Sequence, residues 1–436
     1  MSQSRNTDEG RRTRREFLQA AGSLALSAGA VSALGRRLAA AESQPARRPN
    51  ILLFFPDQHR HDWVGSTAGL PARTPNLDAL AGRGARFVNA LCPSPVCAPS
   101  RAALACGKEY DRCGVPSNGQ NYPLQQTTFY RLLRESGYHV IGCGKFDLRK
   151  PARSWGRDGK QVVDGVSCLD LWGFSDGIDN GGKHDGVGGY KQGKVCPYMA
   201  FLESKGLADA HVADFARRKQ YDGTVTPLPD EAYADNWIAR NGLELLRQAP
   251  PGKPWFLQVN FNGPHEPMDV TAGMKERWKG VTFPPPHGGP PGVDHDGIRQ
   301  NYSAMVENID RWLGLYVEEL RKAGQLDSTL IVYSSDHGEM LGDRGLWGKQ
   351  QPYQPSAGVP LVAAGPSVRQ GWTCQAPATT LDLAATFLDF AGLEVPRDMD
   401  SRSMLPLLAG GAQPPRKVVR SGLGAWRLGQ IGRAHV

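Results

Sequence analysis

The 436-residue chain is poor in cysteine. It has eight, and no two are spaced Cys-x-x-Cys. So sparse a set cannot form a disulfide scaffold, and the missing pair argues against a structural zinc site or a thioredoxin-type redox site. There is no internal repeat, and no Lys/Arg block interleaved with aromatics, so nucleic-acid binding has no support. The long apolar runs of a polytopic membrane protein are absent too. What remains is ordinary globular composition, 40% hydrophobic and 22% charged, which excludes disordered and collagen-like chains. The length gives a soft prior of two or three domains.

The formal charge of +8 is unevenly spread, and half of it sits in residues 1–41. Arg11, Arg12, Arg14 and Arg15 precede an uncharged stretch over residues 18–35. Arg36, Arg37 and an Ala-x-Ala pattern at Ala39-Ala40-Ala41 follow. This is the layout of a cleaved export signal. Residues 13–18 resemble a twin-arginine signal, which implies a bacterial protein carried by the twin-arginine translocase to the periplasm or secreted. The alternative is an uncleaved anchor, but the stretch is borderline in length and rich in Ala, Gly and Ser. The rest of the chain is only mildly basic, which suits an anionic substrate.

Beyond residue 42 strands and helices alternate. The apolar run 50–55 reads as a buried parallel strand. Thr74-Pro75 reads as the N-cap and first turn of a helix. Strands are expected at 85–91, 139–143, 255–260 and 329–334, and helices at 127–136, 231–248, 298–323 and 382–391. This order predicts an α/β sandwich with a mostly parallel central sheet. Residues 150–230 read as an irregular, Gly-rich insertion over a pocket.

Polar residues stand where the strands end. Asp57 and Gln58 follow the first strand, His265 follows the strand at 255, and Asp336 and His337 follow the strand at 329. In a parallel α/β sheet ligands bind at that edge. Two carboxylates, an amide oxygen and an imidazole suit a hard divalent cation. The plainer alternative is that each Asp caps a turn. Cys97-Ala98-Pro99-Ser100-Arg101 places a cysteine at a helix N-terminus, where backbone N–H groups and the dipole favour an anion, with Arg101 one turn on. Taken alone, Cys97 could be an ordinary buried thiol or a thiolate nucleophile paired with a histidine.

These residues resemble the sulfatase family of the alkaline-phosphatase-like superfamily. The likeness runs from about residue 49 to 410 as spaced motifs in family order. They are Pro49 to Leu53, Asp57-Gln58, Thr74 to Asp78, Cys97 to Arg101 with Gly107-Lys108, Gly137-Tyr138, Gly144-Lys145, and Asp336-His337-Gly338 through Lys349. The resemblance implies an enzyme that hydrolyses sulfate esters. A formylglycine-generating enzyme converts Cys97 to formylglycine, whose hydrated aldehyde attacks sulfur and then expels sulfate. The implied metal ligands are Asp57, Gln58, Cys97, Asp336 and His337, around Ca2+ with Mn2+ or Mg2+ as alternatives. Arg101, Lys145 and Lys349 are implied to surround the sulfate, Lys108 to steady the diol, and His265 to protonate the leaving oxygen. The substrate is a sulfated small molecule or carbohydrate.

Three departures from the family pattern stand out. Asp147 occupies the place of a usual His, Cys106 that of a usual Thr, and Gln354 that of a frequent Glu. Gln58 with His337 looks more like the choline-sulfatase and phosphonate-monoesterase branches, so hydrolysis of phosphonate or phosphate monoesters is the first alternative. An unmatured, anion-binding, non-catalytic protein is the second. Residues 42–393 are expected to form the catalytic domain. Residues 394–436 are expected to begin a smaller α+β subdomain, cut short, with an artefactual tail from Ile431. Cys168 and Cys196 are a candidate disulfide.

Overall fold

The computed structural model describes residues 48–219, 221–290, 295–411, 416–423 and 426–432. The signal-like segment 1–41 and residues 433–436 of the tail lie outside these.

An eight-stranded sheet organises the fold. Its strands are β1 (Asn50–Asp57), β2 (Ala85–Phe87), β3 (His139–Gly144), β4 (Asp176–Asp179), β5 (Trp255–Pro264), β6 (Thr329–Tyr333), β7 (Leu361–Ala364) and β8 (Trp372–Cys374). Their spatial order is β8-β2-β7-β6-β1-β5-β3-β4. Only β7 runs antiparallel to its neighbours. β1 is central and buried along its whole length, as a strand covered on both faces must be. Ile51, Leu53 and Phe55 enter one core, and Leu52 and Phe54 the other, the two-residue period of a pleated strand.

The first core lies under helices α2 (Cys97–Cys106), α3 (Phe129–Glu135) and α9 (Leu383–Phe390). The second lies under α1 (Pro75–Gly82), α7 (Ala234–Arg247) and α8 (Asp296–Lys322). Between β4 and α7 the chain forms α4 (Lys183–Tyr190), α5 (Pro197–Ser204) and α6 (Ala208–Arg217). Residues 150–230 are therefore more ordered than their glycine content predicted. Tyr198, Met199 and Leu202 give α5 a buried face against the second core, and that packing outweighs weak local propensity.

Other expectations need correction. The run 85–91 is two strands, β2 in the main sheet and Ala90–Leu91 paired with Ala378–Thr379. Thr74 does not cap α1 with its side chain. Asp310 of α8 does so instead, accepting from the N–H groups of Asn76 and Leu77 at 3.1 and 2.7 Å. Cys168 and Cys196 are not paired. All eight cysteines are free and buried, and these two lie in cores on opposite faces of the sheet.

After α9 an antiparallel hairpin forms from Val418–Leu423 and Trp426–Gly432. Ile431 and Gly432, at the start of the suspected tail, pair with Val419 and Val418 in its ladder. The Arg416 guanidinium ties the approach to this hairpin to the Asp382 carboxylate at 2.8 Å. Among the described residues no helix is long and apolar enough to cross a membrane.

Candidate active site

Four strands deliver side chains to one edge of the sheet, and α2 points its N-terminus there. β1 ends on Asp57, and Gln58 follows with φ 70°. β6 leads into Asp336 and His337, β3 into Lys145 and Asp147, and β5 into His265 and Glu266. Cys97 opens α2 from an extended Val96.

The ligand atoms of Asp57, Cys97, Asp336 and His337 all lie within 4.8 Å of one another, and all four residues are buried. Cys97 Sγ is 3.2 Å from His337 Nε2 and 3.7 Å from Asp57 Oδ1. His337 Nδ1 lies 3.0 Å from the Gly338 carbonyl. Donation there keeps the proton on Nδ1 and turns the Nε2 lone pair toward the carboxylates, the usual preparation of a ligating imidazole. Burial disfavours a charged His337, yet the adjacent Asp336 carries its pKa above the usual value. The same field favours a metal cation. Two carboxylates, an imidazole nitrogen and the Cys97 position fit a hard divalent ion.

Gln58 stands beside this group. Its backbone N–H donates to Asp336 Oδ1 at 3.0 Å. Its side-chain nitrogen donates to Glu266 at 2.7 Å and to Glu339. These two acceptors fix the amide orientation and turn its oxygen to Lys349 Nζ at 2.8 Å.

Lys349 also reaches Cys97 Sγ at 3.2 Å and His265 Nε2 at 2.5 Å. Lys145 pairs with Asp57 and, at 3.3 Å, with Asp147. Burial and Asp57 would raise the Cys97 pKa, but Lys145, Lys349 and Lys150 together hold it well below that of an ordinary thiol. The pocket therefore stabilises negative charge at residue 97. Burial likewise works against an ionised Asp57, and Lys145, His265, Lys349 and Arg101 override it.

Arg101 is fully engaged behind this pocket. Nε meets Asp336 Oδ2 at 2.8 Å, Nη2 meets Asp57 Oδ2 at 3.3 Å, and Nη1 donates to Asn260 Oδ1 and the Lys145 carbonyl. It ties the two carboxylates together. Lys108 is not part of the site. It lies beyond the C-terminal end of α2, one helix length or about 15 Å from Cys97, and pairs with Asp398 at 2.9 Å.

Several residues here were not expected from the sequence. Lys150 joins Asp147 at 2.7 Å and Asp185 at 3.1 Å, and Asp185 joins Arg153 at 3.3 Å. An alternating chain of charges thus runs Asp57–Lys145–Asp147–Lys150–Asp185–Arg153, from the carboxylate at the end of β1 into the 150–190 segment. Asp147 is buried as a link in this chain, where the family pattern has an imidazole. Glu266 and Glu339, which orient Gln58, carry no local signal beyond their nearness to His265 and His337 in sequence. His59, next in sequence to Gln58, braces Tyr333 and the Trp63 carbonyl, and burial brings its pKa to about 4.

Comparison with known proteins agrees with this geometry. A family model described as Sulfatase matches residues 49–393. The chain is 28% identical over 390 residues to the choline-sulfatase of Rhizobium meliloti (strain 1021), covering 83% of this chain and 72% of that one. It is 25% identical over 422 residues to the N-acetylglucosamine-6-O-sulfatase of Bacteroides thetaiotaomicron, covering 86% and 73%. The phosphonate monoester hydrolase of Agrobacterium radiobacter shares the fold, with a TM-score of 0.70 at 24% identity over 85% of this chain and 79% of that one. The chain belongs to the sulfatase family: it is a sulfuric ester hydrolase on an alkaline-phosphatase-like α/β scaffold.

Proposed function

We propose that this protein is an exported sulfatase. In this reading Cys97 is matured to formylglycine, and Asp57, Gln58, Asp336 and His337 hold one divalent cation beside it, Ca2+ by preference. The observation that carries the reading is the place of Cys97. It sits at a helix N-terminus within 4.8 Å of three potential metal ligands and 3.2 Å from Lys349. A formylglycine supplies a hydrated aldehyde as nucleophile, with a second hydroxyl to release sulfate, and the cation makes that nucleophile available at neutral pH.

The chain's own residues do the rest. Lys145 and Lys349 counter charge on the peripheral sulfate oxygens. Arg101 holds Asp57 and Asp336 in register for the cation. His265 and Lys349, in contact at 2.5 Å, form the leaving-group side. When the S–O bond breaks, its electron pair stays on the leaving oxygen, and His265, with Lys349 beside it, delivers a proton to that oxygen. A sulfated carbohydrate or small alcohol is the proposed substrate class, and the twin-arginine translocase and a formylglycine-generating enzyme are the proposed partners. Residues 42–393 act as the catalytic domain, with 394–436 opening a C-terminal subdomain.

The test is mass spectrometry of the tryptic peptide ending at Arg101, from protein co-produced with a formylglycine-generating enzyme. It is paired with metal analysis and turnover of aryl sulfates. An aldehyde in place of the thiol, with one bound divalent ion, is expected. A free thiol in active protein overturns the mechanism. A second reading, hydrolysis of phosphonate or phosphate monoesters, is favoured by the Gln58 and His337 pair. Parallel assays with sulfate and phosphonate aryl esters decide between the two.

A further inference from the structure

We infer that Lys183 is a positioning residue for His265, and that the segment Gly181-Gly182-Lys183 aligns the leaving-group side of the site with its sulfate side. The inference rests on His265 acting at the leaving oxygen, as proposed above.

Lys183 opens α4 yet turns its side chain inward, leaving 3% of it exposed. Its ammonium donates to the His265 carbonyl at 2.8 Å, the Pro267 carbonyl at 3.0 Å and Asp269 Oδ1 at 2.5 Å. Three protons thus meet three oxygens, the full donor capacity of an ammonium. Two of the acceptors are backbone carbonyls of the loop that carries His265. Burying a lysine is costly unless it is paired and fully hydrogen-bonded. Here the pairing partner, Asp269, and the carbonyls all lie on the loop that must be held. The imidazole itself is gripped from its other side, with Nδ1 2.6 Å from the Glu266 carbonyl and Nε2 aimed at Lys349. The ring can keep that aim only while the backbone of residues 265–267 stays put.

The two glycines just before Lys183 supply an independent observation. A Cβ on Gly182 would stand 2.8 Å from Lys145 Cε. The Gly181 carbonyl accepts from Asn262 at the end of β5. The same three residues therefore touch Lys145 on the sulfate side and the His265 loop on the leaving-group side. Lys183 lies outside the strand-end motifs, in the insertion between β4 and α7.

The experiment compares kcat/KM for an aryl sulfate, whose leaving group needs little protonation, with that for an alkyl sulfate, whose leaving group needs much. Lys183→Met alone would strand Asp269, so the clamp is removed by Lys183→Met with Asp269→Asn. The expected result is a loss for the alkyl sulfate about tenfold or more beyond that for the aryl sulfate. His265→Gln should show the same selectivity, and adding it to the clamp variant should cost little more, because groups acting as a unit are not additive. Lys183→Arg should restore part of the ratio. Equal losses for both substrates, or full additivity with His265→Gln, overturn the inference. Asp269→Asn alone, which keeps the ammonium and both carbonyl contacts, should show the same selectivity on a smaller scale. Should the paired variant fail to fold, an unchanged ratio in Asp269→Asn overturns the inference equally. If His265→Gln itself shows no selectivity, the reading of His265 as the leaving-group residue fails, whatever Lys183 does.

Discussion

Lys349 joins the nucleophile position to the leaving-group side of the proposed machinery. It contacts Cys97, Gln58 and His265, and the nearby carboxylates and thiolate keep it protonated against the effect of burial. Lys349→Met should leave the fold intact and lower kcat by about a hundredfold or more, measured under saturating aryl sulfate. A rise confined to KM would show that it binds substrate without stabilising the transition state. At this scale the sequence was informative where chemistry follows a strand end. Asp57, Asp336 and His337 were legible because a polar residue directly after an apolar run has only one edge of the sheet to occupy. Lys150, Lys183, Glu266 and Glu339 were not, because a lone lysine or glutamate in a loop looks like any solvated surface group. Lys108 was misplaced for the opposite reason. Its motif spacing was right, but the intervening α2 is a rigid rod that sets it at the far end from Cys97.

At the scale of elements, α7 and β5 meet through a titratable group. Asp235 of α7 accepts from the backbone N–H groups of Asn262 and Gly263 at 2.8 and 3.1 Å. Burial brings its pKa up from 3.8 to about 6, against the opposing effects of Lys183 and those N–H groups. A raised folded-state pKa means that the native state favours the protonated acid, so stability falls as pH rises from about 4 to about 6. The loss amounts to at most about 3 kcal/mol. Asp235→Asn should abolish that part of the profile, and denaturation midpoints of both proteins from pH 4 to 8 provide the check. If wild type and variant run parallel, Asp235 is not a buried acid. The Gly182 contact yields a second expectation. Gly182→Ala should push Lys145 aside and slow aryl and alkyl sulfates equally, in contrast to loss of the Lys183 clamp. A selective effect on alkyl sulfates would contradict it. Element order and type were readable from periodicity. The helices of the 150–230 insertion were not, since α4 contains three glycines and is ordered by the groups it packs against.

For the whole molecule, the central question is how two fully buried carboxylates, Asp57 and Asp336, coexist. Burial and Asp57 raise the Asp336 pKa, while Arg101 opposes them. A cation bound between the two would relieve that repulsion and favour the folded state. Exhaustive chelation should therefore lower the melting temperature as well as abolish activity, and Ca2+ should restore both. At a hundred times its dissociation constant the ion should add about 2.7 kcal/mol. Calorimetry across a Ca2+ titration is the measurement, and a melting temperature indifferent to both chelator and Ca2+ would refute the metal assignment. Both the sandwich and its mostly parallel sheet could be read from the alternation of strands and helices. The reversed direction of β7 and the partition of cysteines between two cores could not, because both depend on which strands become neighbours.

The burial of Cys97 fixes an order of events. Its side chain has no exposed surface, and it is enclosed by Asp57, His337 and Lys349. No other enzyme can grip this residue in the finished fold. Any enzymatic conversion of its thiol must take place on a chain that has not yet closed, so maturation and folding compete for the same brief interval. A twin-arginine route carries proteins that are already folded. On the proposed twin-arginine route, the conversion would fall on the side of the membrane where the chain is made, and protein that folds first should remain a thiol, however much modifying enzyme it meets afterwards.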